Sequence, residues 1–223
     1  MNALSKRHAA LGALLLLASA ASLAAGGHFD VDDAAVLDPG QCQVEVWAAR
    51  VPADARSAVH FGSACRVGPV ELGLNIDPVW QPGARGMVWG PQVKFVVAPL
   101  LPTLGAGIVW SVGFDSRGGR PVHAVYVPLT WLPAEAWKLH ADAGVDAAAN
   151  GTRTRRLGIA AEWAADATWS VTAERAKVQA DWVSRLGVRA TVNDSLSLDL
   201  STARTGPQAL RIHVIGLNQS FAR

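Results

Sequence analysis

The stretch Gln41–Cys65, QCQVEVWAARVPADARSAVHFGSAC, decides the fold. The run Val51-Pro52-Ala53-Asp54-Ala55-Arg56 is a turn signal, and folding the chain about Ala53 and Asp54 sets Cys42 opposite Cys65. In that register Val44 faces Ser63, Val46 faces Phe61 and Ala48 faces Val59. Gln41, Gln43, Glu45, Trp47 and His60 share the opposite face. A period of two with one apolar and one polar face marks a pair of antiparallel strands. Cys42 and Cys65 are the only cysteines. Facing each other across a hairpin, they read as a structural disulfide of an oxidising compartment rather than a metal or redox pair.

The same alternation runs along the rest of the chain. Trp137, Leu139, Ala141, Ala143 and Val145 share one face, with Lys138, His140, Asp142, Gly144 and Asp146 on the other. Twelve such segments are expected, at 41–50, 57–67, 69–77, 87–98, 105–114, 121–131, 137–146, 154–163, 168–176, 180–192, 196–203 and 208–221, with ten the nearest alternative count. Their lengths match the ~9–11 residues a tilted strand needs to cross a bilayer. Folding about Ala134 sets Trp131 against Trp137 and Leu129 against Leu139; folding about Asp166 sets Trp163 against Trp169 and Ala161 against Val171. The expected fold is an all-β, up-and-down antiparallel transmembrane barrel over residues 41–223.

Period two alone does not say which face is inside, and a soluble periplasmic β-protein with an apolar core is the competing reading. Three features favour the membrane. Trp80, Trp89, Trp131, Trp137, Trp163 and Trp169 cluster at strand ends, as an interfacial aromatic belt does. The polar rows carry charges or glycine. Twelve strands also enclose more space than small apolar side chains fill, since about eight already make a filled barrel. The lumen-facing residues are then Glu71, Asp77, Lys94, Lys138, His140, Asp142, Arg156, Glu162, Glu174, Asp181, Arg185, Arg189 and Asp199. Both signs are present, so they form either a weakly selective eyelet or a network of mutually neutralising pairs.

Residues 1–24 read as a secretory signal peptide: Lys6, Arg7 and His8, an apolar run from Ala9 to Leu23, then Ser22-Leu23-Ala24 as a small-x-small cleavage site. Residues 25–40 show no alternation and carry Asp30, Asp32, Asp33 and Asp38. This acidic segment either plugs the periplasmic mouth or hangs free; it lacks the loop glycine and terminal Glu of a calcium loop. An even strand number places both termini in the periplasm. Turns near Gly68, Pro99, Ala134, Asp166 and Asp194 are then periplasmic, and loops near Asp54, Gly83, Gly118, Gly151, Lys177 and Gly206 face outward.

The chain ends Gly216-Leu217-Asn218-Gln219-Ser220-Phe221-Ala222-Arg223. Gly216 and Phe221 resemble the terminal recognition strand of outer-membrane barrels, which implies the barrel-assembly machinery as a partner. His28-Phe29-Asp30-Val31-Asp32-Asp33, followed by Asp38-Pro39-Gly40-Gln41-Cys42-Gln43-Val44-Glu45, is similar to the opening of a bacterial outer-membrane barrel family. That family is catalogued under the meta-pathway of phenol degradation, or as uncharacterised transporters. Val31 stands where its members carry threonine, and Cys42 interrupts the first-strand pattern. The resemblance implies a channel, with an aromatic or hydrophobic solute as one option.

The formal net charge is +2, with acids and bases interleaved, which argues against nucleic acid as a partner. No zinc spacing, phosphate loop or cofactor motif occurs. Ser184 with His213, or His123 with Ser111, are the candidate pairs for a lipid hydrolase, and neither sits in a nucleophile motif. The expected function is a narrow passive channel for small solutes, surrounded by outer-membrane lipid in a Gram-negative cell. A non-conducting structural barrel closed by ion pairs is the alternative, and a lipid enzyme the third.

Overall fold

The computed structural model describes residues 28–178 and 181–223; the expected signal peptide lies outside them. Twelve strands follow one another in chain order: β1 (Gln41–Val51), β2 (Arg56–Val67), β3 (Val70–Gln81), β4 (Ala84–Leu101), β5 (Leu104–Asp115) and β6 (Val122–Ala134), then β7 (Trp137–Ala147), β8 (Arg153–Ala164), β9 (Trp169–Val178), β10 (Asp181–Asn193), β11 (Leu196–Thr205) and β12 (Leu210–Ala222). Each pairs antiparallel with its sequence neighbours, and β1 pairs with β12, so the sheet closes on itself with no free edge. A short 3₁₀ turn, Pro52–Asp54, joins β1 to β2. Gly68 and Gly83 sit in tight turns at φ 60° and 76°, where a Cβ would strain the backbone.

Which row faces in is settled by exposure. Ile159 and Leu200 are 66% and 63% exposed, whereas Glu174 and Asp199 are 6% and 2% exposed. A large apolar surface outside and charges inside invert the order of a soluble protein. The competing reading, with an apolar core, is therefore replaced. The interior is polar, and its apolar part is small: Val31, Ala160 and Ala176 form a buried cluster.

The β1–β2 register sets Cys42 against Cys65, Val44 against Ser63, Val46 against Phe61 and Ala48 against Val59. The two cysteines form a disulfide, with Cα atoms 4.0 Å apart. Two expected hairpins are corrected. Trp131 pairs with Leu139 rather than Trp137, and Trp163 pairs with Val171 rather than Trp169. In the second case the Asp166 carboxylate accepts the N–H of Thr168 at 2.7 Å and of Trp169 at 2.8 Å, which lengthens the turn. A shift of two leaves every side chain on its own face. The tryptophans still meet, but across β7 and β8: Trp137 is opposite Trp163, with ring centroids 6.3 Å apart. The turn expected at Pro99 lies beyond Leu101, because β4 continues that far, and Lys177 belongs to β9 rather than to a loop.

Candidate functional site

The lumen is crossed by the segment that precedes β1. Residues 28–40 carry no helix or strand, and they run round the inner wall as a strap in the half of the barrel nearest the termini. His28 lies beside Asp199 of β11, 3.9 Å from its carboxylate, and against Gly216 of β12. Phe29 covers Gly187 of β10, and Val31 covers Gly158 of β8. Added Cβ atoms at Gly187 and Gly158 would stand 2.7 Å from Phe29 and Val31 respectively, so bare backbone makes the groove. Ala34 rests on Gly105 of β5.

Wall side chains satisfy the strap's backbone, which has no ladder of its own. Glu174 accepts the N–H groups of Asp30 and Val31 at 3.0 Å each. Asp142 accepts Asp32 N–H at 3.0 Å, Thr130 Oγ1 accepts Ala34 N–H at 2.8 Å, and Glu71 accepts Leu37 N–H at 3.0 Å. Arg66 donates to the Leu37 carbonyl at 2.9 Å. The acidic residues meet cations: Asp30 pairs with Arg185 at 2.8 Å, and Lys94 lies 3.0 Å from Asp32 and 2.9 Å from Asp33. Burial, reinforced by the Arg185 guanidinium, holds the His28 imidazole down at about 4 against an ordinary 6.5.

The expected lumen residues divide into three groups. Glu71, Lys94, Asp142, Glu174 and Arg185 bind the strap directly, as does Arg156, whose guanidinium donates to the Asp30 carbonyl at 3.2 Å and lies over the Tyr126 ring. Lys138 pairs with Glu162, Arg189 with Asp199 and Asp77 with His60, while His140 meets Thr130, so these groups bond within the wall, and Asp199 also faces His28 of the strap. Asp181 shares the inward row but sits exposed at the far rim. His60, held between Glu45 at 2.8 Å and Asp77 at 2.7 Å and stacked on Trp47, was not among the expected lining residues, nor was Asp146, which pairs with Arg156. Their inward parity is the signal that finds them.

The strap leaves part of the lumen unfilled. A cavity of about 210 Å³ lies between it and the wall formed by β1–β4, lined by Gln43, Glu45, Trp47, His60 and Gln92. A wider cavity of about 450 Å³ opens toward the far end, bordered by Asp77, Ser111 and Asp146. Asn75 and Arg156 border both.

The belt residues Trp80, Trp89, Trp131, Trp137, Trp163 and Trp169 are all exposed on the outer surface, joined by Trp110 and Trp182. Phe221 faces outward opposite Cys42, while Gly216 faces inward. The two hydrolase pairs are not assembled. Ser184 takes a hydrogen bond from Arg175 at 2.9 Å and is separated from His213 by β11; Ser111 and His123 lie on opposite faces. Among the described residues no cluster of His, Cys, Asp or Glu suits a metal ion.

The barrel is similar to solved porins. The KdgM porin superposes with a TM-score of 0.66 at 7% identity, over 80% of this chain and 99% of that one. A KdgM porin in complex with disordered oligogalacturonate gives 0.64 at 8%, over 80% and 99%. The NanC porin gives 0.58 at 8%, over 81% and 99%. At these identities the likeness is one of fold. No curated protein matches the sequence. A family model does, under its own description rather than the phenol-pathway label that the opening segment resembles. The match spans residues 13–212, and the chain accordingly belongs to the family described as "Uncharacterised conserved protein UCP029691".

Proposed function

We propose that the protein is a narrow passive channel for small solutes in the outer membrane of a Gram-negative cell, delivered there after removal of residues 1–24 and received by the barrel-assembly machinery through β12. The observation that carries this reading is the pair of cavities bordered by Asn75 and Arg156, which leave space beside the strap rather than a solid core. Outward Ile159, Leu200 and Ile215 and the tryptophan belt fit a lipid surround. The narrow cavity takes solutes of a few heavy atoms to a single ring. Trp47 stacked on His60 gives it one aromatic wall, which together with the resemblance of the opening segment supports a small aromatic solute.

A second reading rests on the strap itself. Its bonds to β2–β4 and β6–β10 suit a barrel that is structural and closed. Single-channel recording of the folded, mature protein in a planar bilayer separates the two. Discrete small openings support the channel. Stable insertion without conductance overturns it in favour of the closed barrel, and failure to insert overturns both. Neither Ser184 with His213 nor Ser111 with His123 is brought together, and we assign no enzymatic activity.

A further inference from the structure

The outer surface of the barrel is electrically one-sided. Every Asp and Glu of the chain lies in the strap, on an inward row or in a turn; none faces outward from a strand. Cations do face outward. Arg155 is opposite Val145, Arg175 opposite Ile159, Lys177 opposite Leu157, and Arg50 opposite His213, all on the outward rows. They fall in the half of the barrel away from the termini; the other half ends in the tryptophans Trp131, Trp137, Trp163 and Trp169.

One pair has no explanation within the protein. Arg204 of β11 stands directly opposite Arg211 of β12, both exposed, and neither meets a carboxylate among the described residues. Like charges in such a position repel. The same cross-strand row continues from Arg204 to Ser184 and from Ser184 to Arg175. At ~4.8 Å per strand it spans about 14 Å from Arg211 to Arg175. Arg175 is fixed in place: it donates to Ser184 Oγ at 2.9 Å and lies 4.9 Å from the centre of the Trp182 ring. Below it, an apolar groove of about 660 Å³ runs toward Trp131, floored by the small side chains Ala141, Ala161 and Ala173.

Anionic groups above and a hydrocarbon chain below describe an amphiphile. We propose that this face binds a phosphorylated glycolipid of the outer leaflet. Its phosphates are held by Arg204, Arg211 and Arg175, which offer planar two-pronged donors to phosphate oxygens. One acyl chain lies along the Ala161–Ala173 groove. The proposal rests on the membrane reading of the barrel given above.

The test is native mass spectrometry of the folded mature protein, released from micelles after incubation with bisphosphoryl lipid A, with the same lipid stripped of phosphate, or with phosphatidylethanolamine. The phosphorylated form is expected to be retained at least about ten-fold more than the stripped form. R204Q/R211Q is expected to remove that preference. Equal retention of the two lipid A forms by the wild-type protein overturns the proposal, and this comparison stands even if the variant does not fold. Loss of the preference on adding inorganic phosphate alone also overturns it, as a site for free anions. Adducts with all three lipids and no preference overturn the site while leaving the membrane barrel intact; failure to fold in any micelle removes both.

Discussion

Arg185 on the wall and Asp30 on the strap, 155 residues apart in sequence, meet at 2.8 Å, and the same guanidinium holds Glu174 at 2.8 Å through Nε. Glu174 in turn receives the strap's backbone at Asp30 and Val31. One cation thus answers for two carboxylates inside the barrel. Removing it leaves both charges without their partner, which costs far more than the pair contributes over an apolar substitute. Arg185→Met is expected to destabilise the folded protein by about 3–5 kcal/mol, read from urea unfolding in micelles. A loss under about 1 kcal/mol would show that the charges find water instead.

Docking of the strap depends on bare backbone at Gly158. A valine there suits a strand but meets Val31, since even its first carbon would lie 2.7 Å from Val31 Cγ2. Gly158→Val is expected to expel the strap, so that proteinase K cuts within residues 28–40 while the barrel stays resistant. Combining it with Val31→Ala should restore protection. Continued protection of the single variant would show that Gly158 does not set the docking, and cutting of the wild-type protein would show that the strap is free.

Acidity is expected to loosen the same segment. Docked His28 takes up its proton only near 4, whereas the released residue does so at 6.5. Burial and the Arg185 and Arg189 charges disfavour the cation, against Asp199 and Asp30, which favour it. The contribution is whole above pH 6.5 and falls by ~1.4 kcal/mol per unit toward pH 4, a total of about 3 kcal/mol. Strap protection against an acid-active protease should decline across that window. His28→Gln should flatten the decline; an identical slope would assign it to other groups.

Much of the fold was legible because parity is a strong constraint. Val44, Val46 and Ala48 could face Ser63, Phe61 and Val59 in only one register with Cys42 on Cys65, and that register is present. Parity is blind to shifts of two, which is why it allows Trp131 against Trp137 when its partner is Leu139. It is also blind to which row faces out; the exposure of Ile159 and Leu200 settles that. The strap was legible as an acidic stretch that plugs the mouth or hangs free, but its partners were not. Its hydrogen-bond partners lie at sequence separations from 29 residues for Leu37 and Arg66 to 155 for Asp30 and Arg185, and no local pattern carries such distances. The inward glycines Gly158 and Gly187 were the usable sign, since a polar row with gaps needs something to fill them.

The disulfide predicts its own chemistry. Thiol titration of unreduced, denatured protein should find no free cysteine, as the Cys42–Cys65 bond requires. The C42S/C65S variant should lose at most about 3 kcal/mol, the loop-closure value for a span of this length, because the hairpin ladder already limits the freedom of the loop. Two free thiols in the native protein would contradict the bond.

The strap's partners are spread over Arg66 of β2, Lys94 of β4, Asp142 of β7, Glu174 of β9 and Arg185 of β10, with Gly216 of β12 beneath His28. No single hairpin offers the set, and it is complete only once the last strand has joined the first. The dozen residues ahead of β1 therefore work as a clasp: they add their binding free energy to the one seam in the sheet whose two sides are the most distant in the chain, and a barrel left ajar at that seam forfeits it.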